Sequence, residues 1–204
     1  MIKAVIFDLG KVIVPFDLRR GFEALASRCT CPPEQIAARI AASSLVGDFE
    51  GGRIEPYEFV GQFSALLGLE VSYGEFRDLW SSIFLPETLI PESLLAGLSR
   101  HYRLLLLSNT NAIHFEWILE RYPLMRHFHD YVLSYQVRAL KPAPQIYQAA
   151  LTRAGCRPEE CFYTDDVPSY VEAARQQGMD GVAFCGLEPL EGELRARGVR
   201  WQED

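Results

Sequence analysis

Five short apolar runs recur along the chain, at residues 3–7, 103–107, 131–133, 161–163 and 182–184. They are continuous rather than alternating, which is how strands buried on both faces of a parallel sheet read. Helical segments with readable ends lie between them. Pro91 can open one whose apolar face is Leu94, Leu95 and Leu98, and Asn111 can cap one running to about Arg121. Pro142 can start a helix carrying Ile146, Tyr147, Ala150 and Leu151, stopped by Gly155; Pro168 and Gly178 bracket another. This repetition of strand, helix and strand predicts an α/β fold, a doubly wound parallel sheet whose ligands sit at the carboxyl ends of the strands.

Residues 16–86 have a different character, with helical periodicity only. Leu18, Phe22 and Leu25 share one face, as do Ile36 and Ile40. Phe59, Val60, Phe63, Leu66 and Leu67 form a broader face that Gly68 ends. Ser72 and Glu75 match a capping box ahead of Phe76, Leu79 and Trp80. The expectation is a four-helix cap of residues 16–86, inserted into an α/β core of residues 1–15 and 87–204. A length of 204 residues suits one core plus an insertion.

Composition excludes several classes. An apolar fraction of 49% supports a sizeable core, and a net charge of −7 argues against nucleic acid as a partner. No uncharged apolar run approaches the ~20 residues needed to span a bilayer, so no membrane is expected. Asp8 comes too early for a signal-peptide core. The five cysteines are an odd number without metal-site spacing, which fits a reduced, cytoplasmic chain. Cys29-Thr30-Cys31 lacks the C-x-x-C spacing of a redox pair. The chain is expected to be a monomer or a weak homodimer.

The chemistry-bearing residues gather at strand ends. Phe7-Asp8-Leu9-Gly10 places a carboxylate where the first strand stops; the second runs into Ser108-Asn109-Thr110-Asn111, and the fourth into Thr164-Asp165-Asp166. Lys141 stands just ahead of the Pro142 helix. In a parallel sheet these ends face one side, so three carboxylates, a hydroxyl and a lysine converge. Carboxylates so placed repel one another and call for a cation, and oxygen-only ligands suit Mg²⁺. Such an ion beside a lysine and turn amides makes a site for a phosphoryl group, with Asp8 positioned as a nucleophile.

Those four motifs, in that order, resemble the haloacid dehalogenase superfamily of aspartate-nucleophile hydrolases. The resemblance covers nearly the whole chain, including the helical insertion. It is closer to the branch reading DLG than DLD, and to the phosphatase domain of soluble epoxide hydrolases. It implies that Asp8 forms an aspartyl-phosphate and binds Mg²⁺ together with the Gly10 carbonyl, Asp166 and, through water or as support, Asp165. It further implies that Ser108 and the Asn109 amide hold phosphate oxygens, and that Lys141 neutralises Asp8 and the transferring group. The implied substrate is a small phosphorylated metabolite, including sugar phosphates such as glucose 1-phosphate.

The pattern breaks at Gly10, where members of the family usually carry a second aspartate for acid–base work. That help is typically worth ~10²–10⁴ in rate. Three outcomes follow: a weak phosphatase, a preference for phosphates whose leaving group departs easily, or a substitute group. Asp17 is the first candidate substitute and Lys11 the second, although Asp17 also suits a helix cap. Four residues after Asp166 stands Tyr170, where this branch more often has an amide or an acid. Within the insertion, residues 47–53 read as a flexible polar loop, with Arg53 or Glu50 as candidates to reach substrate and Arg19 and Arg20 as added positive charge. His114, His127 and His129 read as structural. Two alternatives stay open: a metal-independent dehalogenase in which Asp8 attacks carbon, and a phospho-ligand-binding or regulatory protein that has lost turnover.

Overall fold

A computed structural model describes residues 1–202, so the last two residues of the expected core segment lie outside it. Five parallel strands form one sheet: β1 (Ala4–Phe7), β2 (Arg103–Ser108), β3 (Asp130–Leu133), β4 (Cys161–Asp165) and β5 (Asp180–Ala183). Their spatial order is β3-β2-β1-β4-β5, so the chain starts in the middle and winds outward in both directions. The expected doubly wound α/β sheet is present.

Burial on both faces explains the continuous apolar runs. Ala4, Ile6, Leu105, Leu107 and Tyr163 face one core, packed against α9 (Pro144–Ala154) through Ile146, Tyr147 and Ala150. Val5, Phe7, Leu104, Leu106 and Phe162 face the other, packed against Leu94 and Leu98 of α6 (Glu92–Ser99) and Leu190 and Leu194 of α11 (Leu187–Ala196). Side chains alternate between faces along a strand. Asp8 and Asp165 therefore continue the rows of Ile6 and Tyr163, on the α9 side.

Five helices, not four, lie between β1 and α6: α1 (Leu18–Ala26), α2 (Pro33–Ala42), α3 (Leu45–Glu50), α4 (Pro56–Leu67) and α5 (Tyr73–Ser81). The extra one, α3, begins the stretch read as a flexible loop. Its short turn is held by the buried ring of Phe49, stacked on Phe59 at 4.2 Å between centroids. Pro56 starts α4 and Gly68, at φ 66°, ends it in the left-handed conformation that glycine favours. The capping box of α5 is formed: Ser72 Oγ accepts from Glu75 N–H at 3.3 Å, and Glu75 Oε2 accepts from Ser72 N–H at 2.9 Å. These helices share their own aromatic cluster of Phe49, Phe59, Phe63, Phe76 and Trp80. Each such side chain, fully buried, contributes ~1.5–3 kcal/mol.

The remaining helices follow their strands. Asn111 caps α7 (Ala112–Arg121), its Oδ1 accepting from His114 N–H at 3.0 Å. A short turn, α8 (Ser134–Val137), follows β3, and α10 (Pro168–Gln176) follows β4. The helix expected from Pro142 begins at Pro144 instead. Lys141 stays in the loop ahead of it, and the Lys141–Pro142 peptide is cis. Among the described residues, no helix is long and apolar enough to cross a membrane.

Candidate active site

Asp8 leaves the end of β1 with its N–H bonded to the Thr164 carbonyl at 3.0 Å, and only 7% of its surface is exposed. Lys141 meets it. The ammonium Nζ donates to Asp8 Oδ1 at 2.6 Å, to Asp165 Oδ2 at 2.6 Å and to the Leu107 carbonyl at 3.2 Å. All three of its protons are thereby placed, which a lysine buried to 4% exposure requires. Carboxylate oxygens of Asp8, Asp165 and Asp166 lie within 4.8 Å of one another.

The three acids are not equivalent. Asp165 is fully buried, and both its oxygens are engaged: Oδ1 accepts from Val167 N–H at 2.9 Å, and Oδ2 accepts from Lys141 and from the Tyr163 hydroxyl. It is a holder of Lys141. Asp166 is half-buried at the cluster, and burial, with the charge of Asp165 adding to it, raises its carboxyl above the ordinary value against the pull of Lys11 and Lys141. Burial, with Asp165 adding to it, pushes the Asp8 carboxyl up to about 6 against the pull of Lys141. Burial disfavours the Lys141 ammonium, but the charges of Asp8 and Asp165 and the bonds to both outweigh it and hold the proton in place.

Three carboxylates and one ammonium leave a local charge of −2 in a largely dry pocket. The donors are all oxygen, so the residues present fit one hard divalent cation such as Mg²⁺.

The lysine is also held through its backbone. Asn109 Oδ1 accepts from Lys141 N–H at 2.7 Å, and Asn109 Nδ2 donates to the Lys141 carbonyl at 3.1 Å. The Asn109 side chain therefore positions Lys141, a role that local spacing does not reveal. Tyr170 lies with its ring 5.1 Å from Lys141 Nζ, a cation–π contact where an amide or acid was the familiar choice. Tyr163 went unnoticed in the sequence. Its signal was there, since a residue two before Asp165 in a strand points the same way.

Ser108, at the end of β2, is buried, and its Oγ donates to the Asn109 carbonyl at 3.4 Å. The turn after it is tied to α3 through Ser134. Ser134 Oγ accepts from Thr110 N–H at 2.9 Å and lies 2.7 Å from the Glu50 carbonyl and 2.9 Å from that of Thr110. Its single proton reaches one of the two. Gly52, at φ 65°, packs so close to α8 that a Cβ there would sit 2.0 Å from the Tyr135 carbonyl oxygen. Glu50 is thus fixed next to the Ser108–Thr110 turn. Burial pushes its carboxyl up to about 7.

Other expected residues lie elsewhere. Asp17 is exposed and caps α1, accepting from Arg19 N–H at 2.9 Å. Arg53 folds back on its own turn, donating to Asp48 at 2.6 Å and to the Gly47 carbonyl at 3.1 Å. Neither joins the cluster. Lys11, at φ 57°, is exposed with its ammonium 5.1 Å from the Phe16 ring. Phe16 explains Gly10: a Cβ at position 10 would come 2.9 Å from its ring. His114 is buried between Asn111 and the Trp80 carbonyl, and burial lowers it to about 4, so it is neutral. His127 pairs with Glu92, and His129 accepts from Leu104 N–H. Cys29 and Cys31 are free thiols.

The class defined by this fold and cluster is matched by sequence. The family described as haloacid dehalogenase-like hydrolase matches residues 2–178, and the chain belongs to it. It is a hydrolase of that type. It is 27% identical over 186 residues, covering 88% of this chain and 90% of the other, to a D-ribitol-5-phosphate phosphatase of Bacteroides thetaiotaomicron. A crystal structure of a family enzyme from the same organism, a magnesium complex, superposes with a TM-score of 0.83 at 28% identity, covering 95% and 98% of the two chains. A HAD-like family hydrolase from Porphyromonas gingivalis follows at 0.79, with 26% identity and coverage of 96% and 98%.

Proposed function

We propose that the protein is a Mg²⁺-dependent phosphatase of a small phosphorylated metabolite, acting through an aspartyl-phosphate on Asp8. The observation that carries this reading is Lys141 bridging Asp8 and Asp165 beside Asp166, at the ends of β1 and β4, with Ser108 ending the neighbouring parallel strand β2. The names of its relatives support it: one is a phosphatase of a sugar-alcohol phosphate, and another was crystallised with magnesium and inorganic phosphate.

In this reading Asp8, Asp166 and the Gly10 carbonyl would hold the ion, with Asp165 supporting the site through Lys141. The ion supplies positive charge to the phosphoryl oxygens when bound. Asp8 attacks phosphorus with the oxygen not taken by Lys141, the P–O bond to the alcohol breaks, and water later cleaves the acyl phosphate. Lys141 offsets negative charge at Asp8, and Ser108 with the Asn109 amide holds phosphate oxygens. Gly10 carries no proton for the leaving alcohol, and Asp17 is engaged as a cap. We assign that task to Glu50, which lines the adjoining cavity and whose carboxyl burial pushes up to about 7.

The helices between β1 and α6 act in this proposal as a cap, residues 16–86, over a core of 1–15 and 87–204. A metal-independent dehalogenase would have little use for a Mg²⁺ site, so the pair Asp165 and Asp166 beside Asp8 favours the phosphatase. The test is phosphate release from small phosphomonoesters in the presence of Mg²⁺. Release is expected, and both a chelator and Asp8→Asn should abolish it. Activity that survives Asp8→Asn would defeat the mechanism.

A further inference from the structure

A cavity of about 380 Å³ opens from the turns that follow Asp8 and β2, where Gly10, Ser108 and Asn109 line it. It extends away from the carboxylate cluster, between the strand ends and helices α1, α2, α3 and α5. Its position next to Ser108 makes it the space into which the alcohol half of a phosphoester projects.

The far walls are apolar. Phe16, Phe22, Leu25, Ile40, Trp80 and Phe84 form most of them. Of the polar groups away from the Ser108 turn, the Trp80 indole Nε1 is buried without a hydrogen-bond partner, while Ser43 and His114 already have theirs. Ser43 Oγ donates to the Ile40 carbonyl at 2.9 Å, and both ring nitrogens of His114 are bonded. Among the described residues, Glu50 is the single acid or base of the lining other than His114, and no lysine or arginine belongs to it. A polyol would therefore enter with several hydroxyls and little to meet them. A substrate bearing a second phosphate or a carboxylate would find no cation and would face Glu50.

We infer that the substrate is a phosphomonoester of a small apolar alcohol, aryl or branched alkyl, rather than of a sugar or sugar alcohol. This rests on the phosphatase reading and narrows it. A cavity of about 150 Å³ already admits benzene, so the roughly 380 Å³ here takes up to about fifteen carbon atoms. An apolar pocket rejects one added hydroxyl by only about 10²-fold, but the penalty grows with each further unpaired group.

The experiment compares kcat/KM for benzyl phosphate and 3-methylbutyl phosphate with that for ribitol 5-phosphate, all esters of primary alcohols. Acetyl phosphate, small enough for either kind of pocket, reports on the chemistry alone. The apolar esters are expected to be favoured by at least about 100-fold. Phe22→Asn and Ile40→Thr should each reduce that ratio by at least tenfold. Two such sites keep the test intact if one variant fails to fold. Binding is read separately in Asp8→Asn by quenching of Trp80 fluorescence, with Trp80→Phe assigning the signal. Benzyl phosphate should half-saturate at a concentration at least tenfold lower than ribitol 5-phosphate. Ribitol 5-phosphate equal or superior in turnover or in binding would overturn the inference. Failure of acetyl phosphate to release phosphate would instead count against the phosphatase reading, and the Trp80 titration would still decide the cavity's preference.

Discussion

Lys141 Nζ sits 2.6 Å from Asp8 Oδ1, joining residues 133 positions apart in the chain. The same ammonium holds Asp165 at the same distance, so one cation organises two of the three acids. That asymmetry separates Asp165 from Asp166. Removing one partner of a buried, bonded ion pair typically costs ~3–5 kcal/mol. Asp165→Asn should therefore lower the unfolding free energy by several kcal/mol and cut kcat at least about 100-fold, mainly through a misplaced Lys141. Asp166→Asn should leave stability nearly unchanged and raise the Mg²⁺ concentration for half-maximal activity at least tenfold. Denaturant melts and Mg²⁺ titrations of both variants distinguish the roles. Equal metal effects would contradict the assignment.

Asn109 grips the backbone of Lys141 from both sides. Each buried bond of this kind contributes ~0.5–1.5 kcal/mol, and a loosened lysine loses its alignment with Asp8. Asn109→Ala should reduce kcat by ~10–100-fold with a smaller change in KM. Asn109→Asp keeps an acceptor for Lys141 N–H but loses the donor, and should fall between the two. Steady-state kinetics on one phosphoester gives the order.

Phe16 occupies the space a side chain at position 10 would enter. Gly10→Asp alone should not raise activity, because the ring must shift. Coupled with Phe16→Ala it should restore acid–base help worth up to ~10²-fold on alkyl esters, whose leaving group needs a proton. An unchanged rate in the double variant would show that the space is not the obstacle.

Glu50→Gln tests the proton donor. On alkyl phosphates kcat should fall ~10²-fold, and on acetyl phosphate, whose leaving group departs as an anion, it should fall far less. A folded carboxyl raised to about 7 from its ordinary 4.5 binds its proton more tightly than the unfolded chain does. Stability from this group is full below pH 4.5 and is lost as pH rises through 7. The glutamine variant should then melt at a higher temperature than the parent at pH 8.

His114 works in the opposite direction. Its folded pKa of about 4 lies below the ordinary 6.5, so the unfolded chain binds the proton first as pH falls. The stability it contributes is complete above pH 6.5 and is lost on the way down to about 4, a difference on the order of 3 kcal/mol. Thermal melts of the parent between pH 7 and 4 should show the decline, and His114→Gln should flatten it.

The strands, their parallel arrangement and the acids at their ends were legible locally, because burial on two faces leaves continuous apolar runs and a strand has a fixed period of two. The same period places Ile6 with Asp8 and Tyr163 with Asp165, so the direction of two carboxylates was already written in β1 and β4. α3 was not legible. Gly47, Asp48 and Gly51 read as a loop, and what makes the segment helical is Phe49 packing on Phe59 in α4. Asp17 and Arg53 had the right chemistry for a site, but each finds a partner within a few residues and turns to it.

By itself, the sequence determined the class of sheet, the nucleophile candidate and the company it keeps, since these depend on spacing along one segment at a time. The tertiary structure alone decided which acid holds Lys141, that Asn109 clamps it, that Phe16 takes the room beside Gly10, and that the adjoining cavity is apolar. Each of these depends on side chains from distant segments meeting in space, and the sum of their contacts cannot be read from the periodicity of any one of them.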